Sequence, residues 1–329
     1  MYRLASLFLA CLGLSGACFA AAPSEAIVQG FYEGACMGDK GEKKFEARVV
    51  ALGRGTYQVF VRQPLGDGKV AKVELDGKTE GDAVRFVGKG ESAAWAASYA
   101  DGAIKGTCGP GTTLEMRRVV RRSPTFDAKP PEGAIVLLDG KNFGELTKGR
   151  LRSGAEHPWK LVENGAIEVP KGGMTSKRRF DGSFKLHVEF KIPFMPAERG
   201  QGRANSGVFL TNSDEIQVLD SFGMTTYKGG GCGGIYAYKD PDAFDQFSLA
   251  SFPPLEWQTF DVEYRVQKKD GKPVGNPRVT VLHNGIKIHD NFEIRGANIP
   301  YSPKGKFHFQ DHGNPVEYRN IWVLPLADR

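Results

Sequence analysis

Short segments in which apolar and polar residues alternate recur along almost the whole chain. Early segments include TYQVFVR, VAKVEL and AVRFVGKG, and later ones include FKLHVEFKIPF, SGVFLTN and RVTVLHNGIKIH. A period of two residues is typical of strands that bury one face, and the Gly, Asp, Asn and Lys between segments are typical of turns. The sequence therefore predicts an all-β protein.

A proline-rich stretch divides the 329-residue chain into two parts. The prolines of SPTFDAKPPEGA, residues 123–134, favour extended backbone and prevent regular hydrogen bonding. We therefore place a small antiparallel β domain at 21–125, a linker at 126–131 and a second domain at 132–329. The second part contains eight or more strand segments, with a hairpin signal at HNG, and these predict a two-sheet antiparallel sandwich.

The first twenty residues have the pattern of a signal peptide. Arg3 precedes LASLFLACLGLSGACFA, an apolar run that is short for a membrane span and ends in small residues. We expect cleavage after Ala20 and a periplasmic or secreted protein, with a lipid-modified Cys18 as the alternative. No later segment is long and apolar enough to span a membrane.

Three cysteines remain after such a cleavage. Cys36 and Cys108 bracket the first domain and are the expected disulfide pair, since an exported protein meets oxidising surroundings. Cys232 lies in GGGCGG, within a glycine-rich stretch from Met224 to Gly234. This stretch suggests either a lid over a site or a plain connection, and a catalytic thiol at Cys232 is a further alternative.

Much of the net charge of +6 lies in MRRVVRR, Met116–Arg122. Such a run suits nucleic acid or an anionic surface. We favour the other interpretation, an edge strand whose arginines face solvent before the linker. We therefore expect no nucleic-acid partner.

Several strand segments of the second part place polar side chains on one face. In FKLHVEFKI the apolar residues oppose the polar ones, and the same holds in EIQVLD and FHFQDH. The polar residues of these faces are His187, Glu189, Lys191, Glu215, Gln217, His308, Gln310 and His312. We expect these side chains to line a shared hollow.

Six strings in order carry a resemblance to a known family: NSGVFL, EIQVLDSFG, GGIYAY, WQTFDVEY, HNGIKIHDN and FQDHGNPVEYRNIWV. They resemble the 3-keto-disaccharide hydrolase family over about residues 132–326. The resemblance implies a concanavalin A-like jelly-roll sandwich that acts on glycosides whose 3-hydroxyl has been oxidised to a ketone. It does not cover residues 21–125.

A ketone at carbon 3 acidifies the hydrogen on carbon 2, so cleavage can proceed by elimination of the aglycone followed by hydration. This route needs a base, an enolate stabiliser and an acid. Candidate catalytic residues are His312, the best single choice for proton transfer, with Glu189 and Asp220. Candidate substrate-binding residues are Asn205, Glu215, Gln217, Tyr236, Gln310 and Arg319. For His312 the alternative is a structural histidine, and for Arg319 it is a pairing with an acid.

EIQVLD is similar to the strand of glucanase sandwiches that carries three acids, with Gln217 at the middle position. That departure makes a conventional glycosidase less favoured than elimination. A carbohydrate-binding module without turnover is the alternative from another class.

The sequence demands no cofactor, and a divalent metal ion is an open alternative. Its ligands would come from His187, Glu189, Asp220, Asp311 and His312. The sequence contains no dinucleotide or phosphate motif, so a separate oxidoreductase must supply the oxidised sugar.

Overall fold

The structure, a computed structural model, describes residues 24–66, 69–149, 158–211, 214–224, 226–242, 250–294 and 304–327. The predicted signal peptide and its cleavage after Ala20 lie outside these residues. Within them, the helices are α1 (Glu25–Val28) and three 3-10 turns at Gly90–Ser92, Glu163–Gly165 and Gly200–Gly202. None of the described helices has the length and apolar character needed to cross a membrane. The all-β prediction is confirmed.

In the described residues, the first part of the chain forms a closed antiparallel barrel of eight strands. Each strand pairs with the next, and β1 pairs with β8 to close the ring. The strands are β1 (Gly30–Gly38), β2 (Gly41–Gly53), β3 (Thr56–Gly66), β4 (Lys69–Glu80), β5 (Ala83–Gly88), β6 (Ala96–Ala100), β7 (Ala103–Thr107) and β8 (Thr113–Val119).

Side chains fill the barrel interior. Tyr32, Tyr57, Val84 and Phe86 belong to one buried cluster, which excludes water from the centre. The predicted Cys36–Cys108 disulfide is present and joins the ends of β1 and β7. Closing a loop of this size contributes about 4 kcal/mol to the free energy of unfolding.

The basic run Met116–Arg122 is not an edge strand. Its strand, β8, has a partner on each side because the barrel is closed. Arg117 pairs with Glu115, Arg121 pairs with Glu33, and Arg122 pairs with Asp127. The run is therefore a set of ion pairs on the barrel surface and not an open basic patch.

The second part of the chain forms a sandwich of two main sheets. In the described residues, one sheet has five strands in the order β10-β13-β24-β16-β17. The other has the order β11-β12-β25-β15-β18-β21-β22, with β9 also paired to β25. Two further pairs are β14-β23 and β19-β20. The strands are β9 (Ile135–Leu138), β10 (Leu146–Lys148), β11 (Lys160–Leu161), β12 (Ile167–Glu168), β13 (Met174–Ser176), β14 (Phe180–Asp181), β15 (Phe184–Lys191), β16 (Ser206–Phe209), β17 (Glu215–Val218), β18 (Trp257–Arg265), β19 (Lys268–Lys269), β20 (Lys272–Pro273), β21 (Arg278–His283), β22 (Ile286–Glu293), β23 (Lys304–Gly305), β24 (His308–Phe309) and β25 (Glu317–Pro325).

Alternate residues of both sheets form the core between them. Leu186, Val188 and Phe190 of β15 face Val208 of β16 and its neighbours in one buried cluster. The intervening residues of each strand therefore lie on the two outer faces, on opposite sides of the sandwich. The predicted hairpin is present between β21 and β22, where Asn284 and Gly285 both have positive φ, as a type I′ turn requires.

The barrel packs against the sandwich through aromatic residues. Phe31 of β1 meets Phe222 and Phe252 edge-on, with ring centroids 5.0 and 6.0 Å apart. Val50 and Phe60 complete this buried cluster. The two parts therefore share an apolar interface.

Candidate functional site

The outer face of the five-stranded sheet carries a row of polar side chains. Val208, Ile216, Val218 and Phe309 point into the core, so their neighbours along each strand point outward. Gly207 lies opposite Gln217, and Phe209 lies between Glu215 and His308. Gln310 continues the row of Gly207, because its N–H donates to the Gly207 carbonyl at 2.9 Å. We call this surface the polar face: Gly207, Phe209, Glu215, Gln217, His308 and Gln310.

Glu215, on β17, is the carboxyl group of the polar face. It is only 8% exposed, and burial raises the pKa of its carboxyl to about 7. Within the described part of the chain its side chain makes no hydrogen bond. The carboxyl lies over Gly207, where an added Cβ would be 1.9 Å from Oε1. A buried carboxyl with this pKa and no partner can gain or lose a proton near neutral pH.

A network of amides adjoins Glu215. The Gln201 Oε1 accepts hydrogen bonds from Asn205 Nδ2 at 2.9 Å and from Gln217 Nε2 at 2.7 Å. Gln201 Nε2 donates to the Gly230 carbonyl at 2.9 Å. This arrangement leaves Asn205 Oδ1, Gln217 Oε1 and Gln310 Oε1 buried without a partner among the described residues. Such oxygens are acceptors for a ligand that brings hydroxyl groups.

Two tyrosines border the site. The hydroxyls of Tyr227 and Tyr236 are 2.6 Å apart, and both side chains are partly exposed. The backbone N–H of Tyr236 donates to the Glu215 carbonyl, which places the pair beside the polar face. Burial and the neighbouring Tyr236 raise the pKa of Tyr227 to about 12. Tyr227 therefore keeps its phenol proton at neutral pH. It was not among the predicted site residues.

His308 is the histidine that lies on the polar face. Its Nδ1 is 2.9 Å from the Thr175 hydroxyl, and its ring is 5.5 Å from that of Phe209. Burial lowers the pKa of His308, so its imidazole is neutral at pH 7. The alternation of FHFQDH predicted that His308 lies on the polar side, but the sequence analysis assigned proton transfer to His312.

His312 lies in the loop that follows β24, at the end of the polar face. Its side chain is exposed and makes no hydrogen bond to any described residue. The loop is held in place by its neighbours: Asp311 accepts N–H groups of Gly172 and Gly313, and Asn314 Oδ1 accepts the Asn205 N–H at 2.6 Å. The structure thus places His312 beside the site and not in its buried centre.

Glu189 and Arg319 lie on the opposite side of the sandwich, on the outer face of the larger sheet. Glu189 is fully buried and accepts hydrogen bonds from Arg319 Nε at 2.8 Å, Asn320 Nδ2 at 2.8 Å and the Asp127 N–H at 2.6 Å. Burial acts to raise the pKa of Glu189, but the hydrogen bonds of His187 and Asn320 and the charge of Arg319 hold it below its usual range. A carboxylate with all these partners is not available as a base for a sugar on the other sheet.

The same network fastens the linker to the sandwich. His187 Nδ1 is 2.7 Å from Asp261 Oδ1, and the hydroxyl of Thr125 donates to the other oxygen of Asp261. Arg319 also donates to Asp127 at 2.6 Å. The shared hollow expected for all the polar strand faces is therefore corrected to two separate surfaces. Arg319 pairs with the acids Glu189 and Asp127, as the alternative interpretation of this residue expected.

Asp220 is part of a buried ion pair. Its Oδ2 accepts from Arg203 Nε at 2.6 Å, and its Oδ1 accepts from the Phe222 N–H at 3.1 Å. Arg203 is 1% exposed. The carboxylate of Asp220 is thus held by Arg203 in the described structure, and its catalytic role stays a prediction.

The proposed metal ligands do not come together. Glu189 and His187 lie on one outer face, Asp220 pairs with Arg203, and Asp311 binds backbone N–H groups. Within the described residues, no group of three or more His, Cys, Asp and Glu is arranged to hold a metal ion. The candidate metal ligands of the sequence therefore do not form one metal site in the described residues.

The glycine-rich stretch packs tightly in its described part. Gly229–Gly234 is buried, and the Cys232 N–H donates to Ser221 Oγ at 2.8 Å. Burial raises the pKa of the Cys232 thiol to about 12. Cys232 is therefore a packed thiol and not a nucleophile.

Comparison with known proteins gives a family match. The profile of the 3-keto-alpha-glucoside-1,2-lyase-like domain matches residues 133–324. The solved structure of a candidate glycosyl hydrolase from Parabacteroides distasonis ATCC 8503 at 2.13 Å resolution is 32% identical, with a TM-score of 0.50. The alignment covers 60% of this chain and 85% of that one.

A second candidate glycosyl hydrolase from the same organism, solved at 1.70 Å, is 22% identical with a TM-score of 0.42. It is aligned over 60% of this chain and 95% of its own. Comparison with curated proteins finds no match.

Proposed function

Since the chain belongs to the 3-keto-alpha-glucoside-1,2-lyase-like family, matched over more than half of its residues, we propose that it cleaves glycosides oxidised at carbon 3. The buried and unpartnered carboxyl of Glu215, on a face lined by amides, is the observation that carries this proposal. The family membership makes the protein carbohydrate-active. The substrate and the reaction route are our proposal.

In the first step Glu215 removes the proton from carbon 2 of the sugar. The electron pair of that bond forms an enolate over carbons 2 and 3 and the ketone oxygen. The enolate then restores the ketone, the double bond between carbons 1 and 2 forms, and the bond from carbon 1 to the aglycone oxygen breaks. The aglycone oxygen takes up a proton, and the paired hydroxyls of Tyr227 and Tyr236 are the donor that we assign to this role. Water then adds oxygen to carbon 1 and a proton to carbon 2. A base with a pKa of about 7 suits this sequence, because both protonation states are populated at neutral pH.

The remaining groups of the polar face would bind the sugar. Phe209 lies between Glu215 and His308 in one row across three strands, so the backbones of the outer two are about 10 Å apart. A pyranose ring fits this span with its apolar face on Phe209. The partnerless oxygens of Gln217, Gln310 and Asn205 accept sugar hydroxyls. Neutral His308 can donate an N–H to the developing enolate oxygen.

This arrangement favours elimination over conventional glycoside hydrolysis. A conventional enzyme needs two carboxyl groups on either side of the scissile bond. Gln217 stands where a second acid would be, and Asp220 is paired with Arg203. A binding module without turnover could use the same amides and the Phe209 ring. It would not need a carboxyl group whose pKa lies near 7.

We further propose that the protein works outside the cytoplasm and receives its substrate from another enzyme. The signal-peptide pattern and the Cys36–Cys108 disulfide support export. A separate sugar oxidoreductase must form the ketone, because hydrolysis and elimination leave the oxidation state of the whole substrate unchanged.

The test is incubation of the purified mature chain with a 3-keto-disaccharide and with its unoxidised parent. Mass spectrometry follows release of the two sugar units. We expect cleavage of the ketone alone, loss of turnover in Glu215→Gln, and turnover in Glu189→Gln, the matched control on the opposite sheet. Binding without product from either sugar would contradict the enzyme and support the binding module. Cleavage of the parent disaccharide would support a conventional glycosidase.

A further inference from the structure

We propose that the barrel is part of the substrate site, because it holds Gln201 in position through Arg199 and Arg203. The family match begins at residue 133 and leaves the barrel without a role. This inference rests on the proposed function, since it assigns positioning residues to that same site.

The segment Pro196–Arg203 lies between β15 and β16, and it contacts both the barrel and the amide network of the site. Arg199 Nη2 donates to the Leu52 carbonyl at 2.7 Å, and Arg203 Nη2 donates to the Ala51 carbonyl at 3.1 Å. Both acceptors are at the end of β2 in the barrel. Between the two arginines, Gln201 binds Asn205, Gln217 and Gly230 in the site. The barrel therefore contacts the segment on both sides of the residue that organises the amides.

The contact between the segment and the barrel is close. A Cβ added at Gly53 would be 3.0 Å from the Ala197 Cα, a tight contact, and the positive φ of 87° at Gly53 also favours glycine. Arg199 also donates to the carbonyls of Pro196 and Glu198 within its own segment. Arg199 thus fixes the shape of the segment and its distance from the barrel together.

The second loop of the site is anchored on the barrel as well. Phe222 packs on Phe31, and a Cβ added at Gly223 would be 2.3 Å from a methyl group of Val50. The same loop continues to Gly230, whose carbonyl accepts from Gln201. The Arg203–Asp220 ion pair joins the two loops at their bases. Both loops that carry the amide network therefore take their positions from one barrel surface.

A small displacement of these loops would move Gln201 and with it the amide oxygens of Gln217 and Asn205. Displaced amide oxygens would bind the sugar hydroxyls less well, while the Glu215 carboxyl keeps its place. Arg199 is the residue to change, because it is exposed and its loss leaves the buried Arg203–Asp220 pair intact.

The experiment measures kcat and KM with a 3-keto-disaccharide for Arg199→Ala, Arg199→Lys and the control Arg85→Ala, an exposed arginine paired with Glu80 elsewhere on the barrel. We expect Arg199→Ala to raise KM about 10-fold with kcat little changed and the melting temperature unmoved, because the lost function is the placement of binding groups. Arg199→Lys should recover part of the loss, and Arg85→Ala should match the wild type. Adding Arg199→Ala to Gln201→Ala should have no further effect, since Arg199 acts through Gln201.

Hydrogen exchange of the Gly230–Gly234 amides gives a readout that needs no turnover. We expect faster exchange in Arg199→Ala and no change in Arg85→Ala. If the wild type makes no product and this exchange still rises, the proposed function fails and the positioning by the barrel stands. Unchanged KM together with unchanged exchange in Arg199→Ala, or additive effects with Gln201→Ala, would overturn the inference.

Discussion

The carboxyl group of Glu215 occupies the space over Gly207 that the side chain of any other residue would fill. An added Cβ would be 1.9 Å from Glu215 Oε1 and 2.7 Å from Cδ. The two residues are diagonal neighbours on adjacent strands, because Gly207 pairs with Gln217 and Phe209 pairs with Glu215. Glycine at this position is therefore what allows the acid to lie flat over the sheet.

Gly207→Ala should displace the carboxyl and lower kcat/KM by about 100-fold, the effect of a catalytic group moved by about 1 Å. The free energy of unfolding should change little, because the atoms in the way are the end of a flexible side chain. Steady-state kinetics with a 3-keto-disaccharide and thermal unfolding of the same preparation measure the two quantities. An alanine variant as active as the wild type would show that the carboxyl position does not matter.

The burial of Glu215 also predicts a pH dependence of stability. Its pKa is about 7 in the folded protein and 4.5 in the unfolded chain. The folded state therefore binds more protons between these values, and the stability that Glu215 contributes is lost as the pH rises through 7. Relative to the wild type, Glu215→Gln should gain about 3 kcal/mol on going from pH 4 to pH 8. Urea unfolding across this range measures the difference, and a constant difference would show that the fold does not raise the pKa of this carboxyl.

Glu189 should prove to be a stabilising residue. Glu189→Ala removes the buried acceptor that Arg319 and His187 share and leaves them only Asp127 and Asp261. Breaking a buried pair in this way costs about 3–5 kcal/mol. The pKa of Glu189 is lowered in the fold, so this contribution is present at neutral pH and is lost as the pH falls through the folded value. Denaturant unfolding at pH 7 and in acid tests both statements. A variant that keeps its stability but loses turnover would instead return Glu189 to the catalytic residues.

The two histidines of FHFQDH should differ in effect. His308→Gln should lower kcat, because the neutral imidazole lies on the polar face beside Phe209. His312→Ala should change the free energy of unfolding by less than about 0.5 kcal/mol, because the side chain is exposed and has no described partner. Steady-state kinetics of both variants on the same 3-keto-disaccharide show which of the two histidines takes part in the reaction. Loss of turnover in His312→Ala alone would restore the role that the sequence predicted.

Strand alternation predicted which side chains point outward, but not on which sheet they lie. Glu215, Gln217 and Gln310 were correctly expected to lie together on one face. Glu189 has the same alternating pattern, yet its strand belongs to the other sheet. A period of two residues separates inside from outside and contains no information about the sheet to which a strand belongs.

Other features depended on contacts between distant residues. The partner of Asp220 is Arg203, on the segment before β16, and no local pattern indicates that pairing. Met116–Arg122 has the composition of an edge strand, but the pairing of β8 with β1 closes the barrel and removes the edge. The glycine at position 207 could have indicated Glu215, because a glycine within a strand often marks the close approach of another group.

The most direct test of the account is deuterium incorporation at carbon 2. A 3-keto-disaccharide is cleaved in D2O by the wild type and by Glu215→Gln, and the 3-keto product is examined by NMR, with enzyme-free substrate and product as controls for spontaneous exchange. We predict one deuterium at carbon 2 in each molecule cleaved by the wild type, and cleavage at least about 100-fold slower in Glu215→Gln. Cleavage that keeps the original hydrogen on carbon 2, or that proceeds equally fast without the Glu215 carboxyl, would contradict the proposed elimination.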